Sequence, residues 1–172
     1  MSIRLLKIVL VVCVGAQALF YAIQNVANLA AAYGAVAYVL SMGDHAVYPR
    51  HFAPAVTWSP LVWAALGVVI AGETLAGALC GYGAMSMWRA RRATVESFRT
   101  ASEPAILGCG VGVVVWLGLF MAIGGAWFQM WQTDGGRHSL EGAFMYAVSS
   151  AVVMLFVNQT ESPGSSGSGI SE

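Results

Sequence analysis

The chain has 172 residues, of which 58% are hydrophobic and only 9% are charged. A soluble domain carries roughly 25% charged residues. Eight Lys and Arg balance eight Asp and Glu, which leaves no basic surplus for nucleic-acid binding. A mean hydropathy of +0.71 excludes a disordered chain, a disulfide scaffold and most soluble enzymes. What remains is a small integral membrane protein.

A membrane-spanning helix needs about 20 predominantly apolar residues. The first such run extends from about Leu5 to Gln24, with Arg4 and Lys7 at its start. A basic flank and an apolar core also describe a signal peptide. Polar residues continue the same helical face past the apolar core, which favours a retained span. The stretch from Asn25 to Met42 is apolar too, but a fifth span here breaks the charge pattern. It is expected to extend the first helix or to lie along the outer surface as an interfacial helix. The loop from Gly43 to Ser59 holds Pro49, Pro54, His45 and His51. The second span runs from about Pro60 to Trp88 and is interrupted by Glu73. The segment from Arg89 to Ser102 mixes basic and apolar residues and is expected to continue the second helix past the headgroups. The third span covers about Ala105 to Phe128, and the fourth about Leu140 to Val157. Ser139 and Glu141 are placed to cap and complement the start of that last helix. A Gly/Ser-rich tail over 161–172 cannot pack a core. These features give an all-α fold: one four-transmembrane-helix bundle over 1–160, with a short external or interfacial helix after the first span.

Basic residues set the orientation. Arg4, Lys7, Arg89, Arg91, Arg92 and Arg99 flank one side, against Arg50 and Arg137 on the other. Positive-inside bias then places both termini and the middle loop in the cytoplasm, in a multi-pass protein of a bacterial plasma membrane.

Polar residues inside the spans carry the candidate site. An intramembrane carboxylate is costly and marks a functional hypothesis by default. Glu73 would face the bundle interior, protonated or hydrogen-bonded. It is read either as a hydrogen-bonding knot between helices or as a proton-carrying or ligand-binding group. Gln17, Tyr21, Gln24 and Asn28 share one face of the first helix by spacing. Gln17 is expected to meet Glu73, with Ser149 and Ser150 of the fourth span at a similar depth. Gly77 and Gly81 form a GxxxG on the second span, and Gly108 and Gly112 another on the third. Both are candidates for close helix approach, within the bundle or with another subunit. Trp58, Trp63, Trp127 and Trp131 read as an outer interfacial belt, and Trp88 as its cytoplasmic counterpart.

Cys13, Cys80 and Cys109 all fall inside spans, form no CxxC pair and read as packed thiols. The three His lie in loops, so an intrinsic bundle haem is not expected. Asp44, His45, His51 and His138 match no known ligand spacing and read as solvated loop residues. No GxSxG, HExxH, P-loop or Rossmann pattern is present. Neither a catalytic residue nor a metal ligand is therefore expected.

Several segments resemble an uncharacterised family of predicted four-span small integral membrane proteins, found mainly in proteobacteria. They are Tyr38-Val39-Leu40-Ser41-Met42 followed by Pro49, and above all the run from Ile123 to Gln132. Asn25, Glu73 and Ala143-Phe144 sit where that pattern places similar residues. The resemblance covers roughly 5–158. One departure is Ala126, where the family pattern has Glu. The resemblance implies the fold and the membrane location, and supplies no mechanism.

Small size, minimal loops and small-residue helix faces point to a non-catalytic accessory or structural subunit. Such a subunit would stabilise a larger respiratory, photosynthetic or oxidase-type complex. Its expected partners are other integral membrane subunits and lipids, or a second copy. No intrinsic cofactor is expected beyond lipid, with quinone entering through a partner. The alternatives are a proton- or solute-translocating protein that uses Glu73, and a quinone-associated membrane subunit.

Overall fold

A computed structural model describes residues 2–48, 50 and 53–159. Pro49, His51 and the tail lie outside the described residues. Five α-helices account for most of the described chain, and no strand occurs among those residues: α1 (Ile3–Ala27), α2 (Leu29–Ser41), α3 (Ser59–Ala90), α4 (Val95–Val113) and α5 (Asp134–Asn158). The run Val114–Trp127 continues α4 as a wider, π-type helix. Four helical segments are long and apolar enough to cross a membrane: α1, α3, the joined Val95–Trp127 and α5. In hydrocarbon a helix is the form that satisfies its own backbone, which is why these runs fold as they do.

The helix ends follow capping chemistry. Ser2 Oγ accepts from the Leu5 amide at 3.4 Å and opens α1. Asn28 closes it, its side-chain amide donating to the Gln24 carbonyl at 3.0 Å. The chain turns at this residue and resumes as α2, a separate helix. The α2 helix packs back along the start of α3: Tyr33 stacks on Trp63 with ring centres 4.5 Å apart, and its hydroxyl donates to Ser59 Oγ at 3.0 Å. The Val56 amide donates to the Leu40 carbonyl at 2.8 Å. Leu40, Met42, Val62 and Phe128 form the small core under this arm.

Two boundaries differ from the sequence expectation. The basic segment does not extend the second span. The α3 helix stops at Ala90, and Thr94 starts α4, its hydroxyl accepting from the Ser97 amide at 3.2 Å. The surface turns over 95–104 therefore belong to the third span, where Thr94 offers the N-cap that Arg89–Arg92 lack. The fourth span begins at Asp134, capped by Thr133, whose Oγ1 accepts from the Gly136 amide at 3.1 Å. Ser139 lies inside the helix and donates to the Gly135 carbonyl.

Two lysine and arginine anchors tie one end of the bundle together. Arg4 Nη1 donates to the Arg91 and Ala93 carbonyls at 3.2 and 2.7 Å. Lys7 Nζ, on a buried side chain, donates to the Val157 and Gln159 carbonyls at 3.1 and 2.7 Å. A cation on the last carbonyls of a helix satisfies orphan acceptors and complements the helix dipole. The N-terminus, the α3–α4 turn and the end of α5 thus share one end. At the other end the Val47 and Tyr48 amides donate to Gln132 Oε1.

The main core joins α1, α3, α4 and α5 through Val11, Val14, Cys80, Met87, Phe98, Cys109, Val153 and Val157. Glycines let these helices approach. A Cβ on Gly108 would lie 2.7 Å from the Cys80 nitrogen and 2.9 Å from the Ala76 carbonyl oxygen. Gly15 packs against Cys80 and the Gly77 carbonyl, and Gly83 against the backbone of Ala105.

Candidate functional site: an intramembrane cleft

The position of Glu73 follows from the period of α3. Leu66, Glu73, Cys80 and Met87 recur every seventh residue, and all four are buried. Any side chain at position 73 is carried into the bundle. Glu73 retains only 1% of its accessible surface. Its Oε2 accepts from the Asn25 amide at 2.9 Å. Its Oε1 is buried without a hydrogen-bond partner among the described residues. Buried polar atoms are almost always paired, and a carboxylate inside a membrane is among the costliest to leave unpaired.

The unpaired oxygen belongs to a residue that lines a cleft of about 580 Å³. The α3 helix forms one wall, with Leu66, Val69 and Glu73. Tyr21 and Asn25 of α1 and the inner face of α2 form a second. The π-helical segment and α5 form the third, through Trp116, Phe120, Ala143 and Tyr146. The wider helix explains the third wall. Inward positions along it fall at Val115 and Trp116, Leu119 and Phe120, then Gly124 and Gly125, a spacing that lengthens to five as i→i+5 bonding requires. Trp116 is 4% exposed. Its ring centre lies 5.5 Å from Tyr21, 5.1 Å from Tyr146 and 5.4 Å from Phe120. The Tyr21 and Tyr146 hydroxyls meet each other. Exposed Tyr21, Val68 and Ile123 lie among the lining residues, so the cleft opens at the bundle surface. Glu73 is the only carboxylate among the described lining residues, and His138 stands at the rim 3.6 Å from the Glu141 carboxylate.

The carboxylate singled out from the sequence lines the cleft, but its hydrogen-bond partner differs from the expected one. Asn25, not Gln17, reaches Glu73. Gly15 packs on Cys80 and Leu19 on Gly77, so the antiparallel register brings Asn25 to Glu73 and leaves half-buried Gln17 nearer the basic end. Gln24 and Asn28 are exposed and bond each other at 3.3 Å, away from Glu73. Ser149 donates to the Tyr146 carbonyl of its own helix. Ser150 is buried against Gly112, where a Cβ would lie 3.2 Å from its Oγ. Trp116 and Tyr146 are absent from the sequence-based site. Within a continuous apolar run no alternation marks them, and only the helix period points there.

The glycine motifs divide. Gly77 faces Leu19 and the Gly15 carbonyl, Gly108 faces α3, and Gly112 faces α5. Gly81 is exposed, and a Cβ added there would have no atom within 4 Å. Of the thiols, Cys80 and Cys109 are buried with their sulfurs 3.9 Å apart. Cys13 is exposed on the outer face of α1, which corrects the expectation of three packed thiols. Trp58, Trp63, Trp88 and Trp127 are exposed near helix ends, as an interfacial belt requires. Trp131 instead is half-buried, edge-on to Tyr48 with ring centres 5.3 Å apart. Among the described residues no three His, Cys, Asp or Glu side chains gather as a metal site needs. His51, one of the four loop residues weighed above as metal ligands, lies outside that description.

No curated protein and no solved structure matches the chain. A family model described as "Predicted small integral membrane protein (DUF2165)" matches residues 3–160, and the four membrane-length apolar helices agree with that description. The chain is therefore an integral membrane protein and belongs to this family of small integral membrane proteins.

Proposed function

We propose that the chain is a non-catalytic membrane protein that works by holding an apolar molecule inside the bilayer, in the cleft that Glu73 lines. The observation that carries this reading is the buried Glu73 Oε1, without a partner among the described residues, beside a cavity of about 580 Å³. Ligand pockets of this kind are mostly apolar, with a few convergent polar groups. The lining offers no nucleophile paired with a base, which fits binding or carriage better than chemistry. Positive-inside bias sets the basic end, with both termini, in the cytoplasm of a bacterial plasma membrane.

Gly142 provides the test. It is half-buried in the lining, and a Cβ there would meet only Tyr146, at 3.6 Å. Gly142→Phe therefore fills the cleft without opposing a helix backbone. Native mass spectrometry of gently extracted wild type is expected to show an apolar adduct that Gly142→Phe lacks. A bare chain in both would refute the reading.

A second reading, the accessory subunit, rests on a different observation. Ala64, Gly67, Ala71, Thr74, Ala78 and Gly81 recur at alternating spacings of three and four along α3, and all are exposed. Such a stripe permits close approach of another helix, from a larger complex or a second copy. Extraction in mild detergent should then bring down a stoichiometric membrane partner, lost on Ala71→Trp. A chain that runs alone would contradict it.

A further inference from the structure

We propose that the cleft takes a lipophilic ammonium, an apolar body ending in a protonated amine whose N–H donates to Glu73 Oε1. This rests on the reading of the cleft as a binding site and names its ligand class. Three observations converge on it. First, Oε1 lacks a donor among the described residues while Oε2 already holds the Asn25 amide. An ionised carboxylate only accepts, and an ammonium brings three donors. Second, no Lys or Arg stands among the described residues that line the cleft, and His138 at its rim faces the Glu141 carboxylate instead of Glu73. Third, Tyr21, Trp116, Phe120 and Tyr146 present aromatic surface in the same cleft. Aromatic faces attract a desolvated cation and accept an apolar body equally well. A neutral guest satisfies the rings but leaves an ionised Glu73 without a counter-charge.

The depth of Glu73 selects a free amine over a lipid headgroup. It stands fourteen residues from Ser59 and seventeen from Ala90 on α3, or about 21 and 25 Å from the two helix ends at 1.5 Å per residue. A headgroup amine belongs at the interface, at the level of Trp63 and Trp88, ten and fifteen residues or about 15 and 22 Å from Glu73 along α3.

The test uses the full chain in phosphatidylcholine nanodiscs, with radiolabelled 4-phenylbutylammonium and its neutral isostere 4-phenylbutan-1-ol as probes. Wild type is expected to prefer the ammonium by at least tenfold. Glu73→Gln keeps the size and an acceptor for Asn25 but removes the charge. It is expected to weaken the ammonium at least tenfold and to abolish the preference for it over the alcohol. The wild-type preference stands as a test even should that variant not fold. Equal binding of both probes to wild type would overturn the ammonium assignment and leave the cleft reading intact. Binding of neither would overturn both. Loss of ammonium binding when phosphatidylethanolamine is added to the nanodisc would assign the site to a headgroup and overturn the free-amine proposal.

Discussion

Gly81 and Gly83 stand two residues apart on α3 and face opposite ways, so one substitution made at each separates packing from propensity. A Cβ on Gly83 would lie 2.6 Å from Ala105 Cβ and 2.7 Å from Ala105 Cα. The Cα distance falls about 0.7 Å short of the 3.4 Å at which ordinary contact begins. The obstacle is helix backbone, which cannot rotate aside, so α3 and α4 must part by a comparable distance. Radial gaps of about 0.5–1 Å forfeit a quarter to a half of each dispersion contact along the seam. Overpacking of this kind costs about 1–3 kcal/mol. Removing a helix-interior glycine returns roughly 0.5–1 kcal/mol. Gly83→Ala is thus expected to lose about 1.2 kcal/mol net from the central values, within a range of about 0–2.5 kcal/mol. Gly81→Ala meets nothing within 4 Å and is expected to be neutral or to gain up to about 1 kcal/mol. Reversible unfolding by SDS in mixed micelles, followed by circular dichroism, reads both. Equal stability of the two variants would refute the α3–α4 packing described here. So would a greater loss at Gly81.

Three further outcomes are expected. Lys7→Met removes two hydrogen bonds to the end of α5 and should cost about 1–2 kcal/mol in the same titration; an unchanged midpoint would contradict the anchor. Thr133→Ala removes the α5 cap and should cost about 0.5–2 kcal/mol, with Thr133→Ser recovering most of it. In a chain whose Cys13, Cys80 and Cys109 are replaced, Ala46→Cys should react with an impermeant maleimide from outside intact cells, and Ala93→Cys only after lysis. The reverse pattern would invert the orientation.

Much of the architecture is legible in the sequence because hydrocarbon imposes few rules. Length and apolarity mark a span, and the four runs are found on that basis alone. Glu73 is legible for the same reason, since a lone charge in such a run has few neutral explanations. Its partner is not. Choosing between Gln17 and Asn25 requires the register of α1 against α3, and that register is set by the fit of Gly15 against Cys80 and Leu19 against Gly77. Such fit is a property of two helices together and leaves no periodic mark on either. The first GxxxG motif is only half used, for a related reason. Gly77 and Gly81 lie four apart, yet the α1 seam takes Gly77 and Cys80 and leaves the Gly81 Cα turned outward. Gly83, which meets the backbone of Ala105, belongs to no motif. The start of α4 is readable in principle, because Thr94 is a good cap followed by Glu96. The continuous basic run across Arg89–Arg92 suggests one helix where there are two. The cleft depends on the widened helix over Val114–Trp127, for which an unbroken apolar sequence gives no signal.

Both the register of α1 and the cleft require Asn25 to reach across to Glu73 inside the bundle. Solid-state NMR of the protein in lipid bilayers can measure dipolar coupling between the labelled side-chain nitrogen of Asn25 and the labelled carboxyl carbon of Glu73. With the nitrogen 2.9 Å from Oε2, strong dephasing is expected, and it should persist in Gln17→Ala. No dephasing between Asn25 and Glu73, or strong dephasing to Gln17 instead, would contradict the register and with it the cleft.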